Sequence, residues 1–467
     1  MISQIIYYPV NQEIFHLYYP YYRDNIRITM KEKYRSVIRQ KIIDAQAQAL
    51  PQLTLRDVWR PLVPNKALAI IGIRRAGKSS FMWQLLAEYV QQGIPREGLL
   101  YFSFEDERLS GMQAKDLELV LEEFYQLNPQ WRDQKRAVFF LDEIQVIPGW
   151  ETFARRLLDS ENIQLYLSGS SARMLSREVA TTMRGRALDT TVDPFCFREF
   201  LRHQGLEPRN TARLTKALRS QLDAQLLQYL RQGGFPEAQG LDERSRLALL
   251  RSYIDVVLLR DVIERHNLSQ PQVLRWLVQQ LLANAAGSFS INKFHGDLRS
   301  RGVAISKDSL YQMLGYLEDA FLVRTLPLAT DSVRRQQVNP RKIYPVDTGL
   351  MALYDPARKV NLGHALETVV LHALIRAGAD IGYFLTPNKY EIDFHARMPS
   401  GELWLVQVSL DISDEATLAR EIRPFANLSS AEAGARKLLI SLYSSSSVDV
   451  PDEVEHIPAS EWLLGFE

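Results

Sequence analysis

The sequence predicts an α/β protein whose principal unit is a parallel sheet covered on both faces by helices. Three observations carry this expectation. Strand-like and helix-like segments alternate from Ala67 to Val192, which is the pattern of a parallel sheet. The first strand-like run, Leu68-Ala-Ile-Ile71, leads directly into Gly72-Ile73-Arg74-Arg75-Ala76-Gly77-Lys78-Ser79, and a helix-like segment follows from Ser80 to Val90. A later apolar run, Val138-Phe-Phe-Leu141, ends in the acids Asp142 and Glu143.

Composition narrows the class. At 467 residues the chain is too long for one core, and about two to four domains are expected. It is 46% apolar and 24% charged, with a net charge of +1. No whole-molecule field therefore draws it to nucleic acid or membrane, and any such contact must come from a local patch. Cys196 is the single cysteine, which excludes an intramolecular disulfide and a cysteine-cluster metal site. That fits a reducing compartment. No apolar run reaches membrane-span length and no basic-then-apolar export signal opens the chain, so a cytoplasmic protein without membrane contact is expected.

The elements follow in order. Residues 1–29 crowd tyrosines (Tyr7, Tyr8, Tyr18, Tyr19, Tyr21, Tyr22) without a helical or strand period. They read as an extension ahead of a start at Met30. Residues 30–65 read as a helix to about Ala49 and a connector containing Pro51, Pro61 and Pro64. The nucleotide unit spans 66–194. Its strands are placed at 67–73, 98–104, 136–141, 164–167 and 187–192, and its helices at 79–91, 114–127, 150–159 and 177–183. From 195 to 264 the pattern is mainly helical and is broken at Gly233-Gly-Phe-Pro236. From 265 to 346 come a capped helix at Ser290, a turn at Arg301-Gly302, a helix from Asp308 to Asp319 and a strand from Phe321. A ribbon partner at Arg341–Val346 completes the order of a winged helix-turn-helix. From 347 onward the pattern is α/β again, with a helix at 363–378 and strands at 382–385, 391–396 and 402–408.

The glycine-bearing loop has the GxxxxGK[ST] spacing of a phosphate-binding loop in its strand–loop–helix setting. Glycines let backbone N–H groups close around phosphates, and the helix N-terminus adds its positive dipole end. Residues Gly72 to Ser80 are the expected nucleotide cradle. Lys78 is expected to reach the β and γ phosphates, and the Ser79 hydroxyl to ligate Mg²⁺. Acids at the end of an apolar strand fit the second half of such a site: Asp142 in the Mg²⁺ shell, and Glu143 polarising the attacking water. One strand lies between the loop strand and this one. With the adjacent glutamate, that spacing favours the ATPase branch of P-loop proteins. No NKxD guanine-reading motif occurs, since Asn292-Lys293 is followed by Phe-His and Asn388-Lys389 by Tyr-Glu. ATP is therefore expected over GTP. In Leu167-Ser168-Gly169-Ser170-Ser171 a hydroxyl, Ser170 or Ser168, is placed to sense the γ-phosphate. Arg184 or Arg186 is placed to act between subunits, as an arginine does in ring-forming ATPases.

Together the stretches GIRRAGKSS, YFSFEDERL, FFLDEIQVIPGWE, LSGSSARML, MRGRALDTTVDPFCFREFL, GGFPE, SINKF with SKDSLYQMLGYLEDAFLV, KIYPVDTGL and NKYEIDF resemble those of a known family. It is the prokaryotic AAA+-type P-loop ATPases with a C-terminal domain of unknown function. The resemblance runs from about Lys66 to the end. It implies an ATPase core of the ASCE type, a helical lid (195–264), a winged helix (265–346) and a restriction-endonuclease-like α/β ending (347–467). It also implies a lid turn whose Pro236 approaches the nucleotide.

Two further expectations attach to the later segments. Glu367 on a helix, then Asp393 and Gln407 on successive strands, follow the order of a PD-(D/E)xK nuclease, in which acids hold a metal that activates water. The expected lysine is replaced by Ser409, so a fold kept for binding or assembly is favoured over a live nuclease. In the winged-helix segment Lys307, Ser309, Tyr311 and Gln312, with Arg334, Arg335, Arg341 and Lys342 on the wing, suit contacts to double-stranded DNA; Asp308, Glu318 and Asp319 oppose them. The partners expected are thus ATP, Mg²⁺, DNA or a protein client, and other copies of the chain. The alternative is an ATP-gated DNA-binding switch with little turnover. His364, His372 and His395 show no metal spacing.

Overall fold

The computed structural model describes residues 32–466 apart from 62, 133, 170–182, 184, 212, 331, 356–359 and 444–448. The tyrosine-rich segment, Met30, Ser170, Arg184 and nearly all of the helix expected at 177–183 lie outside the described residues. A first helix, α1, covers residues 32–47. The strands β1 (Ala67–Ile71), β2 (Leu99–Ser103), β3 (Ala137–Asp142), β4 (Ile163–Ser168) and β5 (Ala187–Thr191) form a five-stranded sheet in the order β2-β3-β4-β1-β5. All its pairings are parallel. Helices α2 (Lys78–Gln91), α3 (Glu118–Leu127) and α4 (Trp150–Ser160) make the crossovers, as parallel neighbours require. Sequence alternation becomes architecture through burial. Every residue of β1 and β3 is buried, as expected of central strands with both faces covered. In α4 the buried Trp150, Phe153, Ala154 and Leu157 recur at the spacing of one helical face. β4 enters between β1 and β3, so three strand ends meet at one edge of the sheet.

The helical stretch after β5 divides between two cores. In α5 (Phe197–His203) and α6 (Lys216–Gln232), Phe197, Phe200, Leu226, Tyr229 and Leu230 pack with Leu366, Val370 and Leu463 far along the chain. The chain then turns at Gly233–Gly234 and rejoins the first core through Phe235, Ala238, Leu250, Ile254 and Val257. Helix α7 (Glu243–Val256) runs on as a π-helix over Val257–Glu264.

Helices α8 (Pro271–Ala283), α9 (Ile291–Ser300) and α10 (Lys307–Asp319) follow, with strands β6 (Ser288–Phe289), β7 (Val323–Leu326) and β8 (Arg341–Pro345). The short helix α11 (Val333–Val338) lies between β7 and β8. These strands pair antiparallel in the order β6-β8-β7. After α12 (Leu362–Arg376), the strands β9 (Asp380–Leu385), β10 (Glu391–Arg397), β11 (Leu403–Asp411), β12 (Arg436–Tyr443) and β13 (Glu455–Pro458) build a mixed five-stranded sheet in chain order. The helices α13 (Glu415–Ile422) and α14 (Ala459–Phe466) complete it. A single bridge, Leu328 to Tyr383, ties the end of β7 to β9.

The turn at Gly233–Gly234 is held by a buried acid. Asp347 accepts hydrogen bonds from the Gly234 N–H (2.5 Å) and the Gly349 N–H (2.9 Å). A Cβ on Gly234 would meet the Phe195 carbonyl oxygen at 2.1 Å, so only glycine permits this approach. Burial pushes the Asp347 carboxyl up to about 7. A carboxyl raised in the folded state contributes stability that is present at low pH and lost as pH rises through that value. Chemical denaturation between pH 4 and 8 is expected to show such a loss, up to about 4 kcal/mol. Asp347→Asn is expected to remove that pH-dependent component while lowering stability at pH 5.

Candidate nucleotide site

The loop between β1 and α2 closes tightly. The Lys78 ammonium is buried and donates to the carbonyls of Gly72 (3.0 Å) and Ile73 (3.1 Å). Burial lowers its pKa, and the nearby Glu143 and Asp142 carboxylates oppose that. Gly77, with φ of 98°, opens α2, and no side chain caps the helix. Its first N–H groups are therefore not claimed by a cap. A Cβ on Gly72 would strike the Val192 carbonyl at 2.1 Å, so the loop backs directly onto the end of β5. Ser79 and Ser80 are exposed. Arg56, from the connector ahead of β1, braces the loop from outside. It is buried and donates to the carbonyls of Ala76 (2.8 Å) and Asp193 (2.6 Å).

Asp142 ends β3 beside this loop. The Tyr101 hydroxyl on β2 donates to its Oδ2 at 2.6 Å, and the Ser168 hydroxyl on β4 donates to its Oδ1. Ser168 Oγ also accepts the Glu143 N–H at 2.9 Å. Glu143 sits in the left-handed region with φ of 52°, a conformation that a non-glycine residue adopts only under constraint. Burial raises its pKa, while Lys78 and the Gln145 amide pull the other way. Of the two hydroxyls considered in the sequence, Ser168 is thus tied to both acids, and Ser170 lies outside the described residues.

The remaining loop residues turn toward the helices. Arg74 donates from Nε (2.8 Å) and Nη2 (3.0 Å) to the two oxygens of Asp261, on the π-helix. Arg75 is exposed and pairs with Glu237 at 3.3 Å. The Pro236 ring carbon lies 3.9 Å from where a Cβ on Gly77 would stand, so the Gly233–Pro236 turn does reach the loop. Arg186 pairs with Asp159 of the same chain. It precedes β5 where Ala187 faces Ala67, at the edge of the sheet opposite the loop.

Sequence reasoning missed Tyr101, Asp261 and Arg56. Tyr101 carried a signal, because Tyr101 and Ser103 alternate within an otherwise apolar strand. Asp261 and Arg56 carried none.

In the C-terminal sheet, Glu367 and Asp393 do meet, but a lysine lies between them. Lys342, expected on an exposed wing, is buried. Its ammonium contacts Glu367 (2.8 Å), Glu391 (2.9 Å) and Asp393 (3.2 Å). The wing expectation fails for this residue because strand alternation turns it inward, whereas Arg334, Arg335 and Arg341 are exposed. Burial works against the Lys342 charge, but Asp393, Glu367 and Glu391 outweigh it and raise the pKa. The Gln407 amide N–H donates to Glu421 at 2.9 Å, and its buried Oε1 has no hydrogen-bond partner among the described residues. Among the described residues, no group of His, Cys, Asp and Glu side chains is arranged to hold a metal ion by itself. The loop site differs, because its metal would be shared with nucleotide phosphates. A hydroxyl and a carboxylate are hard oxygen donors that fit Mg²⁺ bound in that way.

Comparison with known proteins gives the following. A model described as an AAA domain matches residues 64–201, and a domain of unknown function (DUF8612) matches residues 223–358. An uncharacterised protein of Methanocaldococcus jannaschii is 30% identical over 425 residues, covering 88% of this chain and 91% of that protein. An uncharacterised protein of Haemophilus influenzae is 28% identical over 398 residues, covering 85% and 93% respectively. Among solved structures, the Walker-type ATPase of Pyrococcus abyssi aligns at 15% identity with a TM-score of 0.40. The alignment covers 68% of this chain and 95% of that one.

The Arg74–Asp261 contact should be measurable as a coupling. A double-mutant cycle of Arg74→Ala and Asp261→Ala, read by urea denaturation, is expected to give about 1–3 kcal/mol of interaction energy. A value near zero would show the two side chains to be independent.

Proposed function

The chain belongs to the family of AAA-domain P-loop ATPases that these relatives represent, and on that premise we propose that it hydrolyses ATP to ADP and phosphate with Mg²⁺. The observation that carries the reading is the convergence of Lys78, Ser79, Asp142 and Glu143 beside the uncapped start of α2. In this proposal Lys78 exchanges the Gly72 and Ile73 carbonyls for β- and γ-phosphate oxygens. Gly72 to Ser80 supply backbone N–H groups to the phosphates. Ser79 and Asp142 hold the metal, which when bound neutralises charge on the phosphates. Glu143 orients the attacking water and accepts its proton. Ser168, bonded to Asp142 and to the Glu143 backbone, keeps the two acids in register. Arg184 is the residue proposed to act between copies of the chain. Arg186 can do so only by leaving Asp159.

We further propose that nucleotide state is passed to a partner site on α10. Arg74 holds Asp261 on the π-helix. At the C-terminal side of that helix the His266 ring stacks on Tyr316 of α10, with centroids 3.6 Å apart and planes 8° from parallel. The outer face of α10 exposes Lys307, Tyr311 and Gln312, with Arg334 and Arg335 exposed between β7 and β8 and Arg341 exposed at the start of β8. These groups favour double-stranded DNA as the partner through phosphate contacts. A protein client is the alternative.

Three outcomes check the reading. Mg²⁺-dependent phosphate release by the full chain is expected to vanish in Lys78→Ala and to rise with duplex DNA. Indifference to DNA would favour the protein client. Glu143→Gln is expected to bind ATP but turn it over about 10²–10⁴-fold more slowly, and wild-type turnover in that variant would refute the role of Glu143. Because the pKa of Glu143 is raised in the nucleotide-free protein and the base must be ionised, kcat/KM is expected to fall on acidification at a pH above the ordinary carboxylate range.

A further inference from the structure

We infer that the cation of the C-terminal carboxylate cluster is the chain's own Lys342 ammonium, which makes the cluster an internal joint between two modules and leaves no place for a catalytic metal. Residues of β8 alternate between cores: Ile343 belongs to the first, and Tyr344 to the second. Lys342 shares the Tyr344 face by the strand's period of two. Both polar ends therefore enter the C-terminal module, where α12 and β10 present acids.

The ammonium is satisfied there. It has three N–H donors, and three carboxylates stand within reach: Glu367 at 2.8 Å, Glu391 at 2.9 Å and Asp393 at 3.2 Å. Its hydrogen bonds go to Glu367 and Asp393, and Glu391 adds an ion pair. The acids are engaged in turn. Glu367 Oε1 also accepts the Tyr344 hydroxyl at 2.6 Å, and Asp393 Oδ2 accepts the Val408 N–H at 3.0 Å. Ser409 donates to the Asp411 carbonyl at 3.3 Å, and the Gln407 amide N–H donates to Glu421.

The ion cluster sits on a seam already stitched by neutral contacts. The Tyr383 hydroxyl donates to the Pro340 carbonyl at 2.8 Å, and His372 meets the Pro345 carbonyl at 2.8 Å. Lys342 is the charged member of that seam. It joins the three-stranded sheet, which carries the proposed partner surface, to the C-terminal sheet.

Two measurements on the full chain test this, and neither depends on ATP hydrolysis. Equilibrium dialysis of nucleotide-free protein against Mn²⁺ is expected to give the same stoichiometry for wild type and Asp393→Asn. A bound Mn²⁺ present in wild type and lost in Asp393→Asn would overturn the inference. Thermal unfolding gives the second readout. Lys342→Met strands the carboxylates and is expected to lower Tm by about 5 °C or more. Adding Glu367→Gln and Asp393→Asn to Lys342→Met neutralises the two buried ones, and at least half of the loss is expected to return. A Lys342→Met protein as stable as wild type would overturn the inference. If that single variant does not fold, recovery of a folded protein by the triple variant supports it, and failure to recover contradicts it.

Discussion

A carboxylate at the buried end of a buried strand must be given donors, and much of the candidate site follows from that constraint. Asp142 is 3% exposed. Left without hydrogen bonds, its charge would cost several kcal/mol or be neutralised by protonation. The neighbouring strands answer with Tyr101 from β2 and Ser168 from β4. Ser168 then holds the backbone of Glu143, and Glu143 faces Lys78. A parallel sheet makes this economical, because all its strands end at one edge and bring their terminal side chains to a common line. The order β2-β3-β4-β1-β5 puts the strand of the acids two places from the strand of the loop, with β4 and its serine between them.

The rest of the molecule is a problem of joining cores. Residues 195–264 behave as a relay: α5 and α6 lie on the C-terminal core, and Phe235 onward lies on the first. The crossing point, Gly233–Gly234, is where the chain approaches the phosphate-binding loop and where Asp347 holds the backbone. β8 does the same with alternating side chains, giving Ile343 to one core and Lys342 with Tyr344 to the other. Contacts that connect modules thus include polar, buried ones as well as apolar packing. The polar ones add less to stability than apolar packing does, but they select one arrangement over others.

Much of the nucleotide site was legible because its chemistry is local. A loop between a strand and a helix needs glycine at defined spacings, a lysine and a hydroxyl, and all of these are adjacent in the chain from Gly72 to Ser80. The acids at Asp142 and Glu143 were legible for the same reason, as the end of one apolar run. Three of the five strands of the C-terminal sheet, β9 to β11, were legible within residues 382–408, whereas β12 and β13 were not. Tyr101, Arg56 and Asp261 were not legible as site residues. Each acts across 20 or more positions, Tyr101 on Asp142, Arg56 on Ala76 and Asp261 on Arg74, and no spacing rule links such pairs.

Lys342 marks the boundary most clearly. In the sequence it stands beside Arg341 in a basic, turn-flanked segment and reads as part of a solvated surface. By itself the sequence determined the parallel sheet, the phosphate-binding loop and the paired acids, because short-range periodicity and backbone requirements leave few alternatives there. The tertiary structure alone decided which face of β8 turns inward, which acids surround the lysine and which arginines remain outside. Those outcomes depend on two sheets being packed against one strand, and burial on both sides of a strand is not written in the strand itself.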